Sequence, residues 1–166
     1  MTTANSVNTY IVPTATREVT MPLQPAFLAF LSAIDTNVTG ASTEYTFGTT
    51  ALTEVYDQNA DFNVNGTFTA PVTGRYMVNA SLTMAGCTIA TFFNFKIVSS
   101  NRTYWNQVNR AASALNQDLQ ISSFVDMDTA DTFTITITAG GEAADTIDIT
   151  GDATILFSFC SCSLTC

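Results

Sequence analysis

Histidine is absent from the chain. That removes the commonest general base, the commonest zinc ligand and the usual partner of a serine or cysteine nucleophile, and most hydrolase chemistry goes with it. Basic residues are scarce as well: five Lys and Arg stand against 14 Asp and Glu, for a formal charge of −9. They are scattered at Arg17, Arg75, Lys96, Arg102 and Arg110, so a nucleic-acid duplex or a phosphate-rich membrane face would be repelled. No apolar run reaches the ~18 residues of a spanning helix. The opening "MTTANSVNTYIVPTATREVT" has neither a basic segment nor a continuous apolar one of the secretory kind, which predicts synthesis in a cytosol. In that setting the sequons at Asn37, Asn65, Asn79 and Asn101 read as unglycosylated chance matches in an Asn/Ser/Thr-rich chain.

Cysteine is sparse too, with Cys87 and a terminal group of Cys160, Cys162 and Cys166. Cys160 and Cys162 lie two apart in a strand-like run and so share a face, and "CSCSLTC" fits none of the common zinc spacings. Two readings stay open: reduced thiols in a strand and tail, or a disulfide formed within or between chains in an oxidising medium.

What the chain does have is apolar content without charge: 46% hydrophobic and 11% charged residues, so it folds and covers its surface largely with Thr, Ser and Asn. Its 166 residues suit one domain with room for an extension. Residues 1–24 are polar and punctuated by Pro13, Pro22 and Pro25, which predicts an N-terminal arm, and residues 25–166 form the domain. "AFLAFLSA" from Ala26 is a short apolar run of the kind covered on both faces. After a Thr/Gly-rich region come β-prone pieces with Asn/Asp/Gly turns, "TEVYDQNADFNVNGTFTAPVTG".

Next is a long alternating strand with Tyr76, Val78, Ala80, Leu82 and Met84 on one side and Arg75, Asn79, Ser81 and Thr83 on the other. Further strands place Phe93, Phe95 and Ile97, then Leu119, Ile121, Ser123 and Val125, then Phe133, Ile135 and Ile137 on single faces, and "DTIDIT" and "ATILFSFCSC" close the set. "NRAASALNQDLQ" is the main helical candidate, at one turn. Strands at this spacing with turns between them predict an all-β sandwich.

The stretch "GTFTAPVTGRYMV" resembles the signature of C1q-type globular heads, a branch of the tumour-necrosis-factor-like jelly rolls. There a Phe-Thr-Ala-Pro corner precedes Gly-x-Tyr and a central strand. "SFVDMDTADTFTI" resembles the family's strand, acidic turn and strand, although the usual Gly before Asp131 is missing, and the likeness runs over residues 26–164. Phe68 and Tyr76 then fill space between the sheets, while Pro71 and Gly74 turn the chain. The resemblance implies a single jelly roll that assembles as a homotrimer. It also gives a use to 12 Phe and 5 Tyr, of which Phe92, Tyr104 and Trp105 are candidate interface residues.

Some C1q-type heads bind calcium through acidic loops, which makes Asp126, Asp128 and Asp131 candidate calcium ligands, although the stretch lacks the Gly and downstream Glu of an EF-hand. Glu142, Asp145, Asp148 and Asp152 read as an acidic loop rim. No spacing marks a glycosidase acid pair or a phosphate loop, so an enzyme is not expected. The expected function is a trimeric virion protein, a phage fibre or decoration knob whose arm attaches to the particle or to the other two subunits, without nucleic acid or membrane insertion and with host-surface glycan or protein as a further partner. The alternative is a free, calcium-assisted, lectin-like C1q-type module. A capsid shell protein would want a basic arm, and this one carries only Arg17 and Glu18.

Overall fold

Residues that alternate apolar and polar, with many β-branched side chains, favour extended chain, and pairing such strands satisfies the backbone while the apolar faces close on one another. A computed structural model describes residues 23–110 and 114–165, and all regular structure among them is extended. In chain order the strands are β1 (Ala26–Phe30), β2 (Asp35–Thr39), β3 (Glu44–Thr46), β4 (Thr53–Asp57), β5 (Phe62–Asn63), β6 (Thr67–Thr69) and β7 (Gly74–Ala85). They continue as β8 (Phe92–Ser99), β9 (Thr103–Asn109), β10 (Asn116–Met127), β11 (Thr132–Gly140), β12 (Ile147–Ile149) and β13 (Phe159–Thr165). The arm, apart from Leu23 and Gln24, lies outside the described residues.

The pairing gives two antiparallel sheets. In the first, β10, β7, β13, β1 and β4 lie side by side. The 12-residue β7 is long enough to serve two partners along one edge, β13 from Arg75 to Ser81 and β12 at Met84 and Ala85, with β2 beyond β12. In the second sheet β11 pairs with β8, then β9, on one edge and with β6 and β3 on the other, and β5 pairs with β6. Long strands that cross between the two layers in this order make a jelly-roll sandwich.

The inward rows match the sequence pattern: Tyr76, Val78, Leu82, Met84, Phe93, Phe95, Ile97, Val125, Phe133, Ile135 and Ile137 are buried in one core. At the end near the termini the core is aromatic. Phe27 stacks on Phe62 at 4.0 Å between centroids and on Phe68 at 5.6 Å, and Phe68 meets Phe133 at 5.2 Å and Tyr76 edge-on at 5.4 Å. Contacts of this kind add about 0.5–1.5 kcal/mol each beyond area burial. The Tyr76 hydroxyl donates to the Val72 carbonyl at 2.6 Å, tying the corner that precedes β7 to the strand itself. Cys160 and Cys162 do share a face and point into this core; with Cys87 they are buried free thiols, and Cys166 lies outside the described residues.

Four sequence expectations change. The Thr/Gly-rich region contains β2 and β3, whose three to five residues are too short and polar to show alternation. The closing strand begins at Phe159, because residues 153–158 form a loop beside the end of β7. "NRAASALNQDLQ" spans the end of β9 and the start of β10: Asn116–Gln120 is strand, and Ala111–Ser113 lie outside the described residues. Gly74 has no left-handed backbone; a Cβ there would stand 2.6 Å from Leu164 Cδ1, so its smallness serves packing. The left-handed requirement falls on Gly66, at φ 87°, where a Cβ would sit 1.9 Å from the Phe47 carbonyl oxygen.

Candidate functional site

Each sheet has a second face, pointing away from the core. On the first sheet the strand register sets out three central rows. Phe124, Met77, Ser163 and Ala26 form one; Ser122, Asn79, Ser161, Leu28 and Tyr56 the next; Gln120, Ser81, Phe159, Phe30 and Thr53 the third. None of these residues is charged. Phe124 is 60% exposed and Tyr56 49%, values that a core role does not explain. Phe30 is buried yet lies outside the central core cluster, on this outer side. The flanking charges are Arg75 and Asp126, which face each other at the end near the termini, and Asp118, opposite Thr83 at the other end of the rows. At the opposite end the loop before β13 adds exposed Ile155, Leu156 and Phe157. That loop is firmly held: Asp152 Oδ1 accepts from the N–H groups of Thr154 (2.7 Å) and Ile155 (3.0 Å), and the Thr83 hydroxyl donates to the Phe157 carbonyl.

The second sheet presents a different outer surface. Its rows are Thr46, Thr136, Lys96 and Trp105, then Glu44, Thr138, Asn94 and Gln107. Lys96 and Glu44 form a 2.6 Å ion pair across the strands. The residues expected at an interface are divided by this geometry. Trp105 stands on this outer surface at 61% exposure, with its indole N–H 3.3 Å from Asn94 Oδ1. Phe92 is on the same side at the far end of β8, against Gly140. Tyr104 alternates to the other side and packs against the core. They do not make one patch. The apolar rows of the first sheet were missed because Met77, Leu28 and Phe159 sit one each on different strands, and only the register brings them together.

The acidic side chains hold loops in place. Glu142 accepts from the N–H groups of Ile89 (2.7 Å) and Ala90 (2.9 Å) and from the Thr88 hydroxyl. Asp145 accepts from the Thr43 hydroxyl at 2.6 Å and the Ala41 N–H at 2.9 Å, and these bonds hold its carboxyl below the usual range. Asp152 is lowered likewise, by the Thr154 N–H and hydroxyl and the Ile155 N–H. Asp148 accepts from the Asn37 N–H. Thus the loop rim is acidic, as the sequence indicates, and most of its carboxylates are occupied.

Asp128 and Asp131 meet in the turn before β11, where Asp131 Oδ2 accepts from the Asp128 N–H at 2.8 Å and from Asn101 Nδ2 at 2.7 Å. Asp126 belongs to the outer face of β10 instead, opposite Arg75. Calcium wants six to eight converging oxygens, and this set does not fit that shell. Among the described residues no group of three His, Cys, Asp or Glu side chains is arranged to hold a metal ion. A shallow hollow of about 490 Å³ beside β5 and β6, lined by Asp61, Asn63, Asn65, Thr67 and Thr69 among others, contains one carboxylate and no partner for acid–base work. The thiols are poorly suited to nucleophilic roles: burial pushes Cys87 up to about 11 against the pull of Arg110, and pushes Cys160 and Cys162 up too.

The chain matches no protein-family model and no curated protein. Its fold is similar to several solved structures. The globular domain of zebrafish complement 1qA protein superposes with a TM-score of 0.57 at 15% identity, covering 86% of this chain and 98% of that one. Murine APRIL at pH 5.0 gives 0.55 at 11% identity, covering 86% and 99%. The vertex protein P5 of PRD1 gives 0.62 at 8% identity, covering 100% of this chain and 86% of that one. At such identities the likeness shows the fold, an all-β jelly roll with C1q and tumour-necrosis-factor-like neighbours, and the chemistry must come from the residues.

Proposed function

We propose that this jelly roll is a non-enzymatic structural protein of a virus particle, a fibre or decoration knob on a phage, and that it works as a homotrimer. The observation that carries the assembly is the uncharged outer face of the first sheet, where Phe124, Met77, Leu28, Tyr56 and Phe159 lie over small Ser, Ala and Asn neighbours. A face this apolar, on a chain with few other apolar outlets in its sheets, is favourable when covered, and small neighbours let a second backbone approach. The C1q-like sequence signature supports three as the number of copies. The likeness to a phage PRD1 vertex protein along the whole chain supports the virion setting.

In this reading the residues before Leu23 attach the domain to the particle. They join the domain next to β1 and β13, where Gln24 Nε2 donates to the Leu164 carbonyl at 2.7 Å. The other end and the second sheet then point outwards, available for host-surface contact. Light scattering on the purified full chain tests the assembly: a mass three times 17.8 kDa is expected. Deleting residues 1–22 should abolish attachment to particles and leave the trimer intact, and loss of the trimer on deletion would refute the division of labour.

A further inference from the structure

Trp105 is the only tryptophan in the chain, and it is the most exposed aromatic ring among the described residues. An indole costs free energy when left in water, and its position at the middle of β9 is not required by the core, which Tyr104 and Val108 serve from the other side of the strand. Its surroundings are specific. Lys96 is directly across from it on β8, yet the Lys96 ammonium is drawn away over β11 to Glu44, so the cation does not cover the ring. The indole N–H reaches diagonally to Asn94 Oδ1, which leans the ring along the sheet. Asn94 and Gln107 face each other in the next row, and their amides offer donors and acceptors beside the ring. In the ring's own row Thr136 is buried, and its Oγ1 has no hydrogen-bond partner.

We propose that this face of β8 and β9 binds a neutral pyranose unit of a surface oligosaccharide, stacked on Trp105. An exposed flat ring takes the C–H face of a sugar, as it takes any flat or weakly polar ring face, and neighbouring amides take the hydroxyls. The charge pattern selects the class. Lys96 and Glu44 neutralise each other, so among the described residues the rows around the ring hold no unpaired cation for a sulfated or sialylated glycan, the nearest being Arg102 in the turn between β8 and β9, and a net charge of −9 disfavours a nucleotide base that brings phosphates with it. The inference gives the host-contact part of the proposed function a ligand class; it rests on that reading for its biological use and on the Trp105 surface for its chemistry.

Because Trp105 is the sole tryptophan, its emission reports the site directly. Full-length protein is titrated with maltotriose, cellotriose and chitotriose in turn while emission is followed, with light scattering on the same samples. At least one sugar should give a saturable blue shift. Trp105→Ala should weaken binding of that sugar by about tenfold or more, the loss expected from one stacked ring, while Trp105→Phe keeps part of it. Asn94→Ala should weaken it less, and the melting temperature of each variant should stay that of the parent. Unchanged emission with all three sugars, in protein whose indole acrylamide quenches freely, would overturn the proposal while leaving assembly untouched. An indole already shielded from acrylamide in the sugar-free protein would overturn it too, since Trp105 would then be a subunit contact. A monomer that still binds sugar would count against the assembly reading alone.

Discussion

The outer faces of the two sheets share one geometry and differ in what they leave in water. The β8–β11 face is a threonine and amide surface with a single ion pair, Lys96 with Glu44, and one exposed aromatic ring, Trp105. Its counterpart on β1, β4, β7, β10 and β13 has no charge in its central rows and carries Phe, Met, Leu and Tyr beside serines, Asn79 and Ala26. Since both pack equally against the same core, folding does not explain the difference. Solvation distinguishes them: in the proposed assembly one face stays wet and the other is covered. Exposure taken strand by strand hides this, because each apolar residue alone looks like an ordinary surface exception.

The comparison can be broken first in the layer both faces share. Phe68→Ala removes a ring that touches Phe27, Phe133 and Tyr76, and should cost about 3–5 kcal/mol of unfolding free energy in a denaturant melt. Both surfaces should fail together. Next, Met77→Asp combined with Phe124→Asp should raise the subunit dissociation constant by on the order of 100-fold or more, measured by sedimentation, if these two act as interface anchors. Thr103→Asp, the same change on the exposed wet face, should leave assembly unaltered and shift stability by no more than about 0.5 kcal/mol.

A smaller effect comes from the loops. Asp145 and Asp152 have folded values depressed below their ordinary 3.8, by hydrogen bonds from Thr43 and Ala41 and from Thr154 and Ile155. Their contribution to stability is therefore present above 3.8 and is lost as the pH falls through the depressed values. Asp61 is raised by burial and acts in the opposite sense, since protonating it at falling pH relieves a cost. Asp145→Asn with Asp152→Asn should flatten the acid limb of melting temperature against pH, and an unchanged limb would show that these bonds do not hold the loops. Lys96→Met should also change little, by about 1 kcal/mol or less, because both partners are partly exposed and the pair is screened by solvent.

The long strands were legible in the sequence because alternation over seven or more residues has one physical meaning. Tyr76 to Met84, Phe93 to Ile97 and Phe133 to Ile137 all face the core as their spacing requires. The Phe-Thr-Ala-Pro signature marked Phe68 and Tyr76, and both are fully buried. Short elements were illegible: Asp35–Thr39 contains Asn37 at a positive φ of 58°, so no period could appear. The apolar stretch Ile155–Phe157 reads as strand, but bonds to the Asp152 carboxylate from Thr154 and Ile155, and from the Thr83 hydroxyl to the Phe157 carbonyl, hold it as a loop.

The candidate site was legible only in part. Trp105 was singled out by its type, whereas the partition of Phe92, Tyr104 and Trp105 between faces needed the pairing of β8 with β9. Occupied carboxylates were equally hidden, because Asp145 bonds to Ala41 and Thr43 more than a hundred residues away in sequence. A cluster of acids in one loop looks the same on paper whether it waits for a metal or caps a turn.

Light scattering coupled to size exclusion, run on the parent chain and on the Met77→Asp, Phe124→Asp variant side by side, tests the central claim most directly. The parent should run at three times 17.8 kDa and the variant as a folded single chain of 17.8 kDa. A parent that runs as one chain at micromolar concentration, or a variant that keeps the parent's mass, would contradict it.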